Sequence, residues 1–167
     1  MTVDGTHFRI QEPTPFDKKW FSHKFNGAGL AYEIGIAIST GDIVWFNGPF
    51  RAGLPDINIF RSKLKKNLSL GEKVVADRGY KGDSRVIAPD DNKGYDHKRA
   101  MRKLRARHET VNSRFKNWGC LDQTYCNDLK KHHLIFKAVV TLLQVDVSTG
   151  NISFQLYSYN YNYPLVF

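Results

Sequence analysis

The stretch from Leu30 to Phe46 does most to constrain the fold. Leu30 to Ser39 reads Leu-Ala-Tyr-Glu-Ile-Gly-Ile-Ala-Ile-Ser, Thr40-Gly41-Asp42 is a turn signal, and Ile43 to Phe46 runs apolar again. Two strand-like runs joined by such a turn predict an antiparallel hairpin over 30–46. Ahead of it, Phe8 and Ile10 alternate with polar neighbours, so residues 2–10 are expected to form a first strand. Gly48-Pro49 and Gly53-Leu54-Pro55 then break the chain, and Ile57, Phe60 and Leu64 fall at helical spacing over Asp56 to Lys66. Gly71 ends that helix. Lys73-Val74-Val75-Ala76 reads as a short strand buried in an α/β core.

Residues 81–96 are polar and rich in Gly, Asp and Pro, as a loop would be. From Lys98 to Asn117, Met101, Leu104, His108, Val111, Phe115 and Trp118 define one face of a helix. A second helix, Asn127 to Val147, is apolar almost all round and is expected to be buried. A last strand is expected at 152–157 and a tail at 158–167. The order predicts an α/β fold. Its mixed sheet has three antiparallel strands first and then a parallel one, helices flank it, and one domain spans 1–157.

The charge is uneven. Lys and Arg number 25 against 16 Asp and Glu, a formal net charge of +9. Lys98, Arg99, Arg102, Lys103, Arg105, Arg107, Arg114 and Lys116 crowd onto one predicted helix. Such a run suits the phosphates of a nucleic acid, and Lys24, Lys81 and Arg85 extend the track. A solvated amphipathic face is the plainer alternative. No leader sequence is visible, and no apolar stretch approaches the ~20 residues that cross a bilayer, so no membrane partner is expected. Cys120 and Cys126 make no disulfide framework. Their spacing, with His132 and His133 nearby, is not that of a usual zinc site. His108 falls on the apolar helix face and reads as a core histidine, and Trp20, Trp45 and Trp118 read as core.

The acids stand out against this background. Asp4 interrupts a β-favouring run, and Asp77 sits at the carboxyl end of an apolar strand, where α/β folds place their sites. Glu109 is the only acid between Lys98 and Lys116. Each has a bland alternative: a strand-edge acid for Asp4, a turn residue before Gly79 for Asp77, and an Arg105–Glu109 helix pair. Asp56 is either the N-cap of the next helix or a further ligand. Three carboxylates brought together repel one another and raise one another's pKa unless cations compensate. Oxygen ligands suit Mg²⁺ or Mn²⁺, and two such ions about 3.5–4 Å apart can clamp both oxygens of a phosphoryl displacement.

Several segments together resemble the DDE superfamily endonuclease domain of PIF/Harbinger-type transposases. They are Val3-Asp-Gly-Thr-His, the Lys24-Phe-Asn-Gly loop, Gly53-Leu-Pro-Asp-Ile-Asn-Ile-Phe, Ala76-Asp-Arg-Gly-Tyr-Lys-Gly and Arg105-Ala-Arg-His-Glu-Thr-Val-Asn-Ser-Arg-Phe-Lys. Gly119-Cys-Leu and Asp128-Leu-Lys-Lys-His-His continue the likeness. The resemblance implies an RNase H-like fold with carboxylates on the first and fourth strands and on a later helix. It implies Asp4, Asp77 and Glu109 as catalytic ligands of divalent metal, with Asp56 as an additional aspartate, and leaves open whether Asp56 or Asp77 is the second member of the triad. It also implies DNA as partner, cleavage and strand transfer at transposon ends, and a nuclear location. The chain starts three residues before Asp4, so the helical DNA-binding region usual in the family is expected to be absent. A separate Myb-like DNA-binding helper is then an expected partner, and a homo-oligomer is compatible. The competing function is a domesticated, non-catalytic DNA- or protein-binding module that kept the fold.

Overall fold

The structure, a computed structural model, describes residues 1–90 and 92–150. The strand expected at 152–157 and the tail at 158–167 lie outside the described residues.

Among the described residues six strands form one mixed sheet: β1 (Thr2–Arg9), β2 (Phe21–Ser22), β3 (Gly27–Ile36), β4 (Ile43–Arg51), β5 (Val74–Ala76) and β6 (Val86–Ile87). β3 lies antiparallel to β1 on one side and to β4 on the other. β5 joins β1 in parallel, and β6 joins β5 in parallel. Apart from the two-residue β2, which pairs with the start of β3, the antiparallel strands come first and the parallel ones after. That is the mixed sheet expected from the sequence. The hairpin forms as predicted, but β4 runs on to Arg51 through the Gly48-Pro49 signal by way of a register shift opposite Ala31 and Glu33.

Among the described residues five α-helices flank the sheet: α1 (Asp56–Ser62), α2 (Leu64–Asn67), α3 (Tyr95–Lys116), α4 (Gly119–Asp122) and α5 (Leu129–Ser148). Strand alternation sends side chains of β1 to opposite faces. Phe8 and Tyr32 pack with Val111 and Phe115 of α3 and Phe136 of α5. The rings of Tyr32 and Phe136 stack at 3.8 Å, and the Tyr32 hydroxyl meets His132 Nδ1 at 2.8 Å inside this layer. Each fully buried aromatic of this kind contributes about 1.5–3 kcal/mol. On the other face Val3 packs with Phe60 and Leu64 from the short helices, and with Val74 and Tyr80.

Several expectations need correction. The single helix over 56–66 is two, because Lys63 leaves helical geometry at φ −141° and ψ −56°. Just before it, the Ser62 hydroxyl donates back to the Ile59 carbonyl at 2.6 Å, the local competition that weakens helices. The break still buries both Phe60 and Leu64. The segment 81–96 is not all loop, since Val86–Ile87 pairs with β5 and α3 already starts at Tyr95. Nor is α5 buried all round: Phe136, Val139, Val140, Leu143 and Val147 face the sheet, while Leu134, Leu142 and Val145 are exposed. Trp118 is also exposed rather than core. His108 is a core histidine as expected, with Nε2 at 2.8 Å from Thr2 Oγ1. No helix among the described residues is long and apolar enough to cross a membrane.

Candidate active site

The parallel pairing of β1 with β5 places Thr2 opposite Val75 and Val3 opposite Ala76. The next residue on each chain is an aspartate, so Asp4 and Asp77 stand side by side. Asp4 points to the α3 face, where the Asn112 side-chain amide donates to its Oδ2 at 3.3 Å. Its Oδ1 accepts from the Gly5 N–H at 2.8 Å. β5 ends where it does because Asp77 turns the chain. Its Oδ1 accepts from the Gly79 N–H at 2.8 Å and caps a 3-10 turn at Arg78–Tyr80. The turn role weighed for Asp77 is therefore present, in a residue that also neighbours Asp4.

Asp56 does not cap α1. Pro55 occupies the N-cap position and Asp56 begins the helix without a side-chain cap bond. Proline's fixed φ lets it precede the first turn but gives it no side-chain acceptor. The Asp56 carboxylate instead fills space left by two glycines. A Cβ on Gly5 would lie 2.6 Å from Asp56 Oδ1, and one on Gly79 would lie 3.0 Å from Asp56 Oδ2 and 3.1 Å from Asp77 Oδ1. The aspartates thus approach the end of β5 from both sides of the sheet, Asp4 from the α3 side and Asp56 from the α1 side.

Their proximity shows in their acidity. Burial pushes the Asp4 carboxyl up to about 6, the Lys24 ammonium opposes this, and the Asp77 charge adds to it. Burial likewise raises Asp56, again with Lys24 opposing and Asp77 reinforcing. Behind the group lies Glu33, opposite Gly5 in the β1–β3 ladder and fully buried. The Trp45 indole donates to its Oε2 at 2.9 Å, while Oε1 has no hydrogen-bond partner among the described residues, and neither has the buried Tyr80 hydroxyl.

Glu109 approaches from α3. It lines the same cavity of about 600 Å³ as Asp4 and Asp77. Its carboxylate is exposed and pairs with Arg105 Nε at 3.5 Å, one helical turn away. Lys98, Arg102 and Arg105 line the cavity too, so its α3 wall is basic. Arg99, Lys103 and Lys116 are exposed on the same helix. Arg107 departs from the expected phosphate contacts. It is 4% exposed and its guanidinium donates to the carbonyls of Ala37 and Ile38 at 2.9 and 2.7 Å. It ties the β3–β4 turn to α3, where no phosphate reaches. Arg85 also departs, its guanidinium donating to the carbonyls of Leu68 and Ser69.

Sequence reasoning missed Asn112 as a partner of Asp4 and His97 as a cavity group. Asn112 stands one turn after Glu109 on the helix, a spacing that could have flagged it. His97 lines the cavity with a buried Nε2 that lacks a partner among the described residues. Nothing in its local sequence marks it.

The donor chemistry of Asp4, Asp56, Asp77 and Glu109 suits a hard divalent cation. Crowded carboxylates pushed toward protonation are stabilised when a cation joins them. As the side chains stand, no group of three or more His, Cys, Asp or Glu among the described residues is close enough to enclose a metal. The carboxylates fit such an ion in kind and neighbourhood, and would have to close around it.

A mixed α/β sheet that sets paired aspartates against a basic helix across one cavity is suited to a phosphodiester substrate. The chain belongs to the DDE superfamily endonuclease family, whose family model matches residues 3–144. No curated protein and no solved structure matches it significantly. Membership suggests nuclease activity of the transposase type, with DNA as the substrate the family implies, and members of the superfamily generally use divalent metals.

Proposed function

We propose that this protein is a metal-dependent DNA endonuclease and strand transferase of the Harbinger type. In this reading Asp4 and Asp77 hold Mg²⁺ or Mn²⁺, Glu109 completes the set after leaving Arg105, and Asp56 supports it from the α1 side. The observation that carries the reading is the β1–β5 pairing, which sets Asp4 beside Asp77 on a cavity that Glu109 also lines. When bound, the ions would supply Lewis acidity at the phosphorus and charge compensation for the attacking and leaving oxygens. The chain's own groups do the rest. Lys98, Arg102 and Arg105 hold the DNA backbone along α3, since phosphate contacts fix register without reading sequence. Asn112 orients the Asp4 carboxylate through its amide.

Breaking the exposed Arg105–Glu109 pair costs little, because helix pairs of this kind contribute about 0.3–0.5 kcal/mol. The carboxylate of Glu109 is thus free to turn toward the aspartates.

The test is Mn²⁺ titration by calorimetry with plasmid nicking in parallel, on wild type, Asp4→Asn, Asp77→Asn and Glu109→Gln. Wild type should bind and nick, and each variant should lose nicking with weakened metal binding. DNA binding that survives chelation, with no nicking by wild type under any divalent metal, would sink the enzyme reading and leave a DNA-binding module.

A further inference from the structure

Lys24 sits in the loop between β2 and β3, and its side chain reaches back to β1. Its backbone N–H donates to Ser22 Oγ at 3.2 Å, and the same oxygen meets His7 Nδ1 at 2.8 Å, which fixes the base of the side chain. At the far end the ammonium donates to the carbonyl oxygen of Gly5. Gly5 follows Asp4 directly, and Asp56 packs against it. The ammonium therefore stands within the acid group, and it lines the cavity with Asp4, Asp77 and Glu109. Its charge is felt throughout the group, lowering the pKa of Asp4, Asp56 and His7.

A lysine ammonium has three N–H donors. The Gly5 carbonyl takes one, and the described residues supply no other hydrogen-bond acceptor to this group. The anchor is a backbone carbonyl rather than a carboxylate. When cations neutralise the aspartates, that anchor remains and holds the ammonium in the cavity against repulsion by the cations.

The geometry points to Lys24 as a further catalytic residue, whose ammonium contacts a non-bridging oxygen of the scissile phosphate while Arg102 and Arg105 reach the DNA from α3. The assignment rests on the nuclease reading above. The rival role is a counter-ion that only neutralises Asp4 and Asp56.

Two measurements separate these roles. The first is binding of a short DNA duplex across a salt series in Ca²⁺, a cation that takes oxygen ligands. The second is single-turnover plasmid nicking at saturating Mn²⁺. A phosphate contact predicts that Lys24→Gln lowers the slope of log affinity against log salt by about 0.9. It also predicts a nicking rate about 100-fold lower, the cost of losing one transition-state donor. Mn²⁺ affinity should be equal or tighter. Lys24→Arg should keep the slope and recover part of the rate, and Lys66→Gln, at an exposed position of α2, should change neither.

An unchanged slope together with an unchanged rate overturns the proposal and leaves the counter-ion role. Should Lys24→Gln melt at a lower temperature, Lys24→Met, which keeps the aliphatic stem, is measured in its place. Wild type that never nicks defeats the nuclease reading and the catalytic role that rests on it, while the salt slope of the same proteins still decides whether Lys24 touches phosphate.

Discussion

Glu33 lies fully buried on β3, with one carboxylate oxygen on the Trp45 indole and the other without a partner among the described residues. Burial pushes it up to about 7 from the ordinary glutamate value near 4.5, against the lowering effect of the Trp45 bond. The folded chain therefore keeps a proton that the unfolded chain releases at lower pH. Between about 4.5 and 7 the folded state binds more protons, so this group's contribution to stability falls as pH rises and then levels off above 7. Glu33→Gln cannot ionise and keeps an acceptor for Trp45. Its stability relative to wild type should climb by on the order of 3 kcal/mol between pH 4.5 and pH 8. Urea unfolding of both proteins at the two pH values measures this, and a difference that does not change with pH refutes the buried neutral carboxyl. Arg107 gives a second expectation of the same scale. Arg107→Ala leaves the Ala37 and Ile38 carbonyls without their donor and should cost about 2–4 kcal/mol. The salt slope of DNA binding should not move. Arg102→Ala should do the reverse, and a slope lowered equally by both would restore Arg107 to the DNA contacts.

At the scale of elements, the approach of α1 to β1 depends on a missing side chain. The Asp56 carboxylate occupies the place where a Gly5 Cβ would sit, 2.6 Å from Oδ1. Gly5→Ala must push the start of α1 away or force the carboxylate aside, at a cost of about 1–3 kcal/mol for overpacking. Removing the carboxylate should relieve this. In a double-mutant cycle, Gly5→Ala made on an Asp56→Ala background should cost clearly less than on wild type. Additive costs would mean that α1 adapts without strain. This contact was not legible in the sequence, because Gly5 and Asp56 are brought together only by the fold. The strand order was legible, since Leu30–Ser39, Ile43–Phe46 and Val74–Ala76 announce themselves by composition and by the turns that bound them. β6 was not, for Val86–Ile87 has two residues and no period to detect. The division of α1 from α2 was hidden as well, because Phe60 and Leu64 keep helical spacing across a break that lies in the backbone of Lys63.

Across the whole molecule, the surplus of base is not spread evenly but meets the acids at one cavity. The sequence showed both charge sets and the isolation of Glu109 within a basic run. A count of bases could not show that Arg107 turns inward, although at about 100° per residue it stands about 140–160° around α3 from Arg102 and Arg105. Nor could it show that Lys24 joins the aspartates rather than the α3 track, because that depends on how a loop folds back over β1. The resulting arrangement has a consequence for binding. A DNA backbone drawn to Lys98, Arg102 and Arg105 must approach Asp4 and Asp77 across the same cavity. Without metal those charges repel it, and at about 10 Å in water each charge pair contributes roughly 0.4 kcal/mol. Screening over a Debye length of about 8–10 Å limits the sum at physiological salt. An Asp4→Asn, Asp77→Asn double variant should then bind a short duplex in EDTA more tightly than wild type, by roughly fivefold at low salt for about 1 kcal/mol of relieved repulsion. Millimolar Mn²⁺ should abolish the advantage, because wild type gains the cations that the variant cannot hold. Fluorescence anisotropy under the two conditions measures both arms. An advantage that persists unchanged in Mn²⁺ would mean that the aspartates repel DNA without ever recruiting metal. No advantage in either condition would place the bound duplex away from the cavity.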